Sequence, residues 1–192
     1  MSHSKLYDAV SSYITLEQQD AAVLKSLFKY ASVTKGTSLI EAGKLTDKVF
    51  FTLSGYLRCF KMLDTAEELV VHLVGPGCAI TTPSSFFLET KSTETLQAIT
   101  DCELFYISKS DLEKLYSMDS KWQTFARKLM ESTIIEKEER IIDQISLTAH
   151  ERYLKLIQKH PDIVQNVPVK YIASYIGIQP ESLSRIRKTI EK

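Results

Sequence analysis

The spacing of apolar positions changes period twice along the chain. Residues 1–27 carry them at helical intervals, and Thr15 with Gln18 makes a capping-box pattern ahead of "LEQQDAAVLKSLF". From Phe28 to about Ile107 the texture becomes short β-branched and aromatic runs cut by turn residues. "KVFFTLSGYLRCFKML" and "EELVVHLV" read as strands joined by the hairpin connection "LDTAEE". "ETLQAITDCELFYI" reads as a further strand pair turning near Asp101. Gly36, Gly43, Gly55, Gly75 and Gly77 fall at spacings that suit an antiparallel barrel or sandwich.

After Ile107 the period returns to that of a helix. "SKSDLEKLYSMDS" starts one, and "KWQTFARKLMESTIIEKEERIIDQI" continues as a long one. Trp122, Phe125, Ala126, Leu129, Met130 and Thr133 form an i, i+3, i+4 stripe, which Ile134, Ile135, Ile141, Ile142 and Ile145 extend. Such a stripe either packs on the barrel or pairs with its twin in a dimer. Trp122, Phe125, Ala126, Leu129 and Thr133 are the candidate dimer contacts. Thr148 with Glu151 is a capping box for "AHERYLKLIQ", which stops near Pro161, and Pro168 marks another break. The expected organisation is therefore a barrel with N-terminal helices over 1–118, a long helix over 119–146 and a helical unit over 147–192.

Composition changes this picture little. Of 192 residues, 44% are hydrophobic and 25% charged, as in ordinary globular chains. "LVVHLV" from Leu69 is far too short to span a membrane, and "MSHSKLYDAV" lacks the apolar centre of a signal peptide. Cys59, Cys78 and Cys102, odd in number and widely spaced, suit reduced thiols in a cytoplasm. Charge matters more. Residues 149–192 hold eight Lys/Arg against four acids, leaving sixteen against twenty for residues 1–148. The basic end is either a solvated helical surface or the seat of a polyanionic partner.

The segment "KYIASYIGIQPESLSRIRK" favours the partner. Ala173 is small where two helices must approach, and Gly177 falls in the turn, where positive φ is cheap. Ile172, Ile176, Ile178, Leu183 and Ile186 occupy the packing positions of a helix-turn-helix, with Ile190 continuing the inward face. Pro180 suits the first turn of the second helix. Glu181, Ser182, Ser184, Arg185, Lys188 and Thr189 then face outward. Arg185 can span a guanine edge, Glu181 can accept from cytosine, and Ser182 can do either. Lys170, Gln179 and Lys188 can hold phosphates of double-stranded DNA.

A β-rich domain, a long helix and a C-terminal helix-turn-helix, in that order, resemble the Crp/Fnr family of bacterial transcription regulators. The resemblance runs from about Ala21 and is most specific in "IASYIGIQPESLSRIRK", where Glu181, Ser182 and Arg185 match base-reading positions. It implies an α+β fold: a jelly-roll, cyclic-nucleotide-binding-like antiparallel β-barrel with flanking helices, a dimerisation helix and an all-α helix-turn-helix domain. It further implies a homodimer on a pseudo-palindromic site and RNA polymerase as a partner. Pro180 replaces a side chain that often contacts DNA. Against the resemblance, no counterpart of the family's winged hairpin is expected, since the sequence stops at Lys192.

The effector site departs from the family's pattern. Thr81–Thr82 stand where its Gly–Glu pair binds phosphate and ribose, and Ser92–Thr93 where its Arg–Ser follows. Those residues, with Ser84 and Ser85, outline a degenerate pocket in "GPGCAITTPSSFFLETKSTETLQA". A buried phosphate without a cation or a row of donors is costly, so cyclic AMP is not expected and no cofactor is assigned. Lys91 leaves another anion open. Lys137–Glu138 stand near the place of the adenine-contacting pair. The cysteine cluster of an iron–sulfur sensor is missing, His72 reads as a surface or packed residue, and Phe86 and Phe87 either line a pocket or plug the barrel.

Two other function classes compete. One is a ligand-binding barrel whose helical tail contacts proteins rather than DNA. The other is a metal-dependent barrel enzyme, which would need clustered ligands where the barrel has only His72, so no metal site and no catalytic set are assigned.

Overall fold

Alternation of side chains builds the β-region, and over residues 48–54 and 102–108 both faces of the strand meet apolar neighbours. A computed structural model describes residues 2–190; Met1, Glu191 and Lys192, the last counted above with the basic tail, lie outside them. Two helices, α1 (Ser2–Ser11) and α2 (Asp20–Leu27), precede β1 (Lys29–Val33), β2 (Ser38–Ile40), β3 (Lys48–Ser54), β4 (Leu57–Met62), β5 (Glu68–Val74) and β6 (Ala79–Ile80). Then come α3 (Pro83–Leu88), β7 (Thr95–Ala98) and β8 (Cys102–Ser108). The strands form two four-stranded antiparallel sheets, β1-β8-β3-β6 and β2-β7-β4-β5, the order of a jelly roll. On β3, Phe50 points into the barrel beside Leu57, Leu96 and Leu104, while Phe51 points out beneath the helices.

That outer face carries the second core. Leu6, Val10 and Ile14 from the N-terminal segment and Leu24 and Leu27 of α2 close over Phe51, Phe105 and Ile107. The Thr15–Gln18 cap does not form. Instead α2 begins at Asp20, whose buried carboxylate accepts from the Glu17 amide (2.7 Å) and from Lys121 Nζ (2.8 Å).

The hairpin over 63–68 forms as expected, with β4 and β5 in register from Leu57↔Val74 to Met62↔Glu68. The strand pair expected over 94–107 does not. β7 and β8 lie in different sheets, and Asp101 sits at a corner where the chain crosses between them. A second corner at Gly55 packs against the first: a Cβ there would lie 2.3 Å from the Asp101 carbonyl oxygen, at φ +83°. Ile99 N–H donates to Tyr56 O (2.8 Å), and Tyr56 N–H to Thr100 Oγ1 (3.0 Å). The corner residues thus bond across to each other rather than along a hairpin.

Asp119 divides the following helices into α4 (Lys109–Met118) and α5 (Ser120–Ser146), since its carboxylate accepts from the Lys121 amide (2.9 Å). The apolar stripe on α5 also divides. Trp122 and Phe125 are buried in the chain's own outer core, with Leu129 packed beside them. Ala126 is half-buried and Thr133 is exposed, its Oγ1 donating to Leu129 O (2.8 Å). Met130, Ile134, Ile135, Ile141, Ile142 and Ile145 stand in solvent, Ile145 at 83% exposure. Of the candidate dimer contacts, Trp122 and Phe125 are thus engaged by the chain's own core, and the exposed isoleucines lie along the later half of α5.

The reciprocal Thr148–Glu151 capping box starts α6 (Ala149–Lys159). A short α7 (Pro161–Asn166), unexpected from the sequence, precedes α8 (Val169–Ile176) and α9 (Pro180–Ile190). These four helices share a third core of Tyr153, Leu156, Ile163, Val167, Ile172, Ala173, Ile176 and Leu183.

Candidate functional site

Helix α8 ends where Gly177 adopts the left-handed conformation (φ 75°, ψ 37°), and its amide bonds back to Ala173 O and Ser174 O. A side chain here would meet strain and a Gln144 oxygen 3.0 Å from its Cβ. The chain then turns directly into α9, with Pro180 in its first turn and Gln179 O accepting from Ser182 and Leu183. Ala173 and Leu183 are fully buried between the two helices, with Ile178 and Ile186 partly buried beside them. Ile190 departs from the expected inward face: it is 38% exposed.

The opposite face of α9 is open. Glu181, Ser182, Ser184, Arg185, Lys188 and Thr189 are all exposed, as are Lys170 and Gln179. Two of the hydroxyls are tied to their own helix, Ser184 Oγ to Pro180 O (3.0 Å) and Thr189 Oγ1 to Arg185 O (3.1 Å). Both oxygens can still accept. Arg185 and Lys188 carry no ion pair among the described residues, so their donors are available.

A second face of α8, overlooked in the sequence, rests on the barrel. Tyr171, Ser174 and Tyr175 recur at i, i+3, i+4, a spacing that α8–α9 packing does not require and that could have betrayed it. Ser174 Oγ accepts from Val70 N–H (2.9 Å) and donates to Glu68 O (2.9 Å), both on the outer edge of β5. The buried Arg58 guanidinium stacks on Tyr171 (4.0 Å) and on Phe60 (4.1 Å), and it donates to Glu68 Oε1 (2.9 Å) and Gln97 Oε1 (2.8 Å). Hydrogen bonding to Arg58 holds the Glu68 carboxyl below its usual range, and the Lys170 charge adds to this. From α5, Arg140 donates to Val71 O (2.6 Å) and Tyr175 O (3.0 Å) while its guanidinium covers the Tyr175 ring (4.2 Å). Arg152 donates to Ile176 O (2.9 Å). The last carbonyls of α8 thus meet two guanidiniums, which suits the negative end of a helix.

Within the barrel, the hydroxyls at Thr81, Ser85 and Ser92 among the residues outlining the expected pocket bond to backbone groups. Thr81 Oγ1 donates to Lys48 O (2.8 Å), and the buried Ser85 Oγ accepts from Thr46 N–H (3.0 Å). Ser92 Oγ donates to Glu94 O (2.8 Å) and accepts from its amide (3.1 Å). Ser84 and Thr93 face solvent, as does Lys91. Thr82 precedes α3 with its Oγ1 buried and unpartnered among the described residues. Phe86 is buried and Phe87 is 54% exposed; neither joins the cluster that fills the barrel.

Three ionisable groups line one side of that interior. The Cys59 thiol donates to Glu94 Oε2 (3.4 Å), and burial, then the Glu94 charge, pushes its pKa far up. His72, opposite Cys59 in the register and not a surface residue, is pushed down to about 3 by burial, then by Lys137 and Arg140. The imidazole is therefore neutral at physiological pH. Lys137 of α5 acts on both groups, so this helix passes close to that side of the barrel. No group of metal-ligating residues occurs among the described residues, nor is any of their helices long and apolar enough to cross a membrane.

Residues 30–119 match the family model of the cyclic nucleotide-binding domain. No curated protein matches the sequence. Among solved structures, FixK2 from Bradyrhizobium japonicum aligns with TM-score 0.72 and 19% identity over 86% of this chain and 85% of its own. The c-di-GMP-responsive global regulator CLP of Xanthomonas campestris aligns with TM-score 0.70 and 18% identity over 91% and 92%. A proposed Crp/Fnr-family transcriptional regulator from Eubacterium rectale aligns with TM-score 0.69 and 15% identity over 94% and 88%. Identities this low show a shared fold. Residues 30–119 are thus similar to the cyclic nucleotide-binding domain, in a chain that shares its fold with these solved structures.

Proposed function

We propose that this protein is a transcription regulator of the Crp/Fnr type that reads a pseudo-palindromic DNA site as a homodimer. The observation that carries this reading is the open face of α9. Glu181, Ser182, Arg185 and Lys188 stand exposed on a helix whose other face packs through the buried Leu183 and the partly buried Ile186. A helix fits the major groove, and this set holds the donors and acceptors that distinguish base pairs. The exposed isoleucines of α5 supply the second half: pairing two such helices removes their apolar surface from water and presents two recognition helices. RNA polymerase is the further partner that the family resemblance implies.

Cyclic AMP is not its effector on this reading. The hydroxyls at Thr81, Ser85 and Ser92 are committed to backbone groups, and Glu94 adds negative charge where a phosphate would need a cation. Selection from random duplexes tests the function, followed by titration of the enriched site across salt. A dyad-symmetric site is expected, with affinity falling as a steep power of salt concentration. Recovery of no enriched sequence, with salt-insensitive retention, would favour a barrel whose tail binds proteins.

A further inference from the structure

We propose that Ser174 is a positioning residue for DNA recognition. By closing the free edge of β5 it fixes the helix-turn-helix on its own barrel, and so sets the half-site spacing a dimer can span. The inference rests on the DNA-reading dimer proposed above.

Four observations lead to it. First, Glu68 O and Val70 N–H are the edge groups a further strand would bind, and a single hydroxyl serves both at 2.9 Å. An open edge invites pairing with other chains, and many side chains could blunt it. Ser174 closes it from the first helix of the DNA-reading pair. Second, the dock is reinforced from both sides. Arg58 reaches out of β4 to stack on Tyr171, and Arg140 reaches from α5 to Val71 O and Tyr175 O. Three elements, α5, β5 and α8, therefore meet at one guanidinium. Third, α6 is braced on α5 by Lys155–Asp143 (2.6 Å) and Lys159–Glu139, so the helical unit is held at two places along the proposed seam helix. Fourth, the dock leaves Lys170, Glu181, Ser182, Arg185 and Lys188 exposed, so it braces the reading face without covering it.

A dimer gains from its second half-site only if both recognition helices reach their grooves together. That gain depends on the effective concentration of the second helix, which falls when its mounting loosens. Loosening the hold of Ser174 on β5 should therefore weaken the full site and spare a single half-site.

The test uses full-length Ser174→Ala and Ser174→Thr on the site selected by wild type. Each is titrated on that site, on versions with one base pair added or removed between half-sites, and on an isolated half-site. For Ser174→Ala, affinity for the full site should fall about tenfold and half-site affinity less than twofold, with discrimination between spacings reduced. Ser174→Thr keeps the hydroxyl and should restore both affinity and spacing preference. Amide exchange at Val70 should accelerate in Ser174→Ala alone. Equal loss on full and half-sites would overturn the proposal, leaving the hydroxyl a role in folding only. Tighter binding of every duplex by Ser174→Ala would also overturn it, since the dock would then act as a brake. An unchanged spacing preference would do the same. If wild type binds no duplex, the DNA reading itself fails, and this proposal with it.

Discussion

Arg185 and Lys170 are both exposed and basic, yet their positions assign them different work. Arg185 stands mid-helix on the outer face of α9, where it can bridge two acceptors of a guanine. Its replacement by alanine should cost about 1–3 kcal/mol on the selected site and relax preference at one base pair per half-site. Lys170 opens α8 with Nζ 4.8 Å from the Tyr171 ring centre, within the influence of Glu68, and suits a phosphate. Lys170→Ala should weaken all duplexes alike and lower the salt slope by about one for each phosphate it no longer neutralises. Titrations of both variants on the selected site, single-base variants and unrelated DNA separate the two. Uniform weakening by Arg185→Ala would mean that α9 lies differently in the groove. These surface positions were legible from sequence because helical period alone decides which side of α9 is left over once Leu183 and Ile186 turn inward. The partners of Ser174 and Arg58 were not: the spacing of Tyr171, Ser174 and Tyr175 marks a second face of α8, but nothing local says that it meets Val70 and Arg58.

Helix α5 carries one apolar stripe of which its own chain buries only the first part. Its first turns are consumed by the chain's own core, so Phe125→Glu should cost roughly 3–5 kcal/mol or more and unfold the outer layer without testing association. Ile134 and Ile141, at 64% and 63% exposure, are the informative pair. Ile134→Glu with Ile141→Glu should leave melting of the barrel unchanged and give monomers, because charge would be buried without a partner only in a paired seam. Light scattering of the double variant checks this, and a persistent dimer would remove α5 as the interface. Periodicity revealed the helix and the stripe. It could not say where the barrel's claim on that stripe ends, because burial against one's own chain and against a twin demand the same residue types.

At the scale of the whole molecule, ligand and fold can be separated by stability. A ligand that binds only the folded chain raises its melting temperature by mass action, by roughly 2.7 kcal/mol of stability at about a hundredfold excess over its dissociation constant. Cyclic AMP at physiological concentration should give no saturable shift, given the hydroxyls of Thr81, Ser85 and Ser92 that are committed to backbone groups. A clear saturable shift would overturn that assignment. The jelly-roll strands and the α8–α9 pair are written locally: period-two alternation over 48–74, the glycine at 177, and small and apolar residues at fixed offsets each act within a few positions. The N-terminal cap misread at Thr15 shows the limit of such signals, since the Asp20 carboxylate is held by Lys121, far along the chain, as well as by the nearby Glu17 amide. The corner at Asp101 shows it again: a run that alternates like a hairpin was divided between two sheets because Gly55 lets another corner press against it. Local pattern thus chose the elements. Long-range contacts chose their partners, because edge hydrogen bonds, guanidinium stacking and shared cores depend on which surfaces meet, and no single stretch of sequence encodes that.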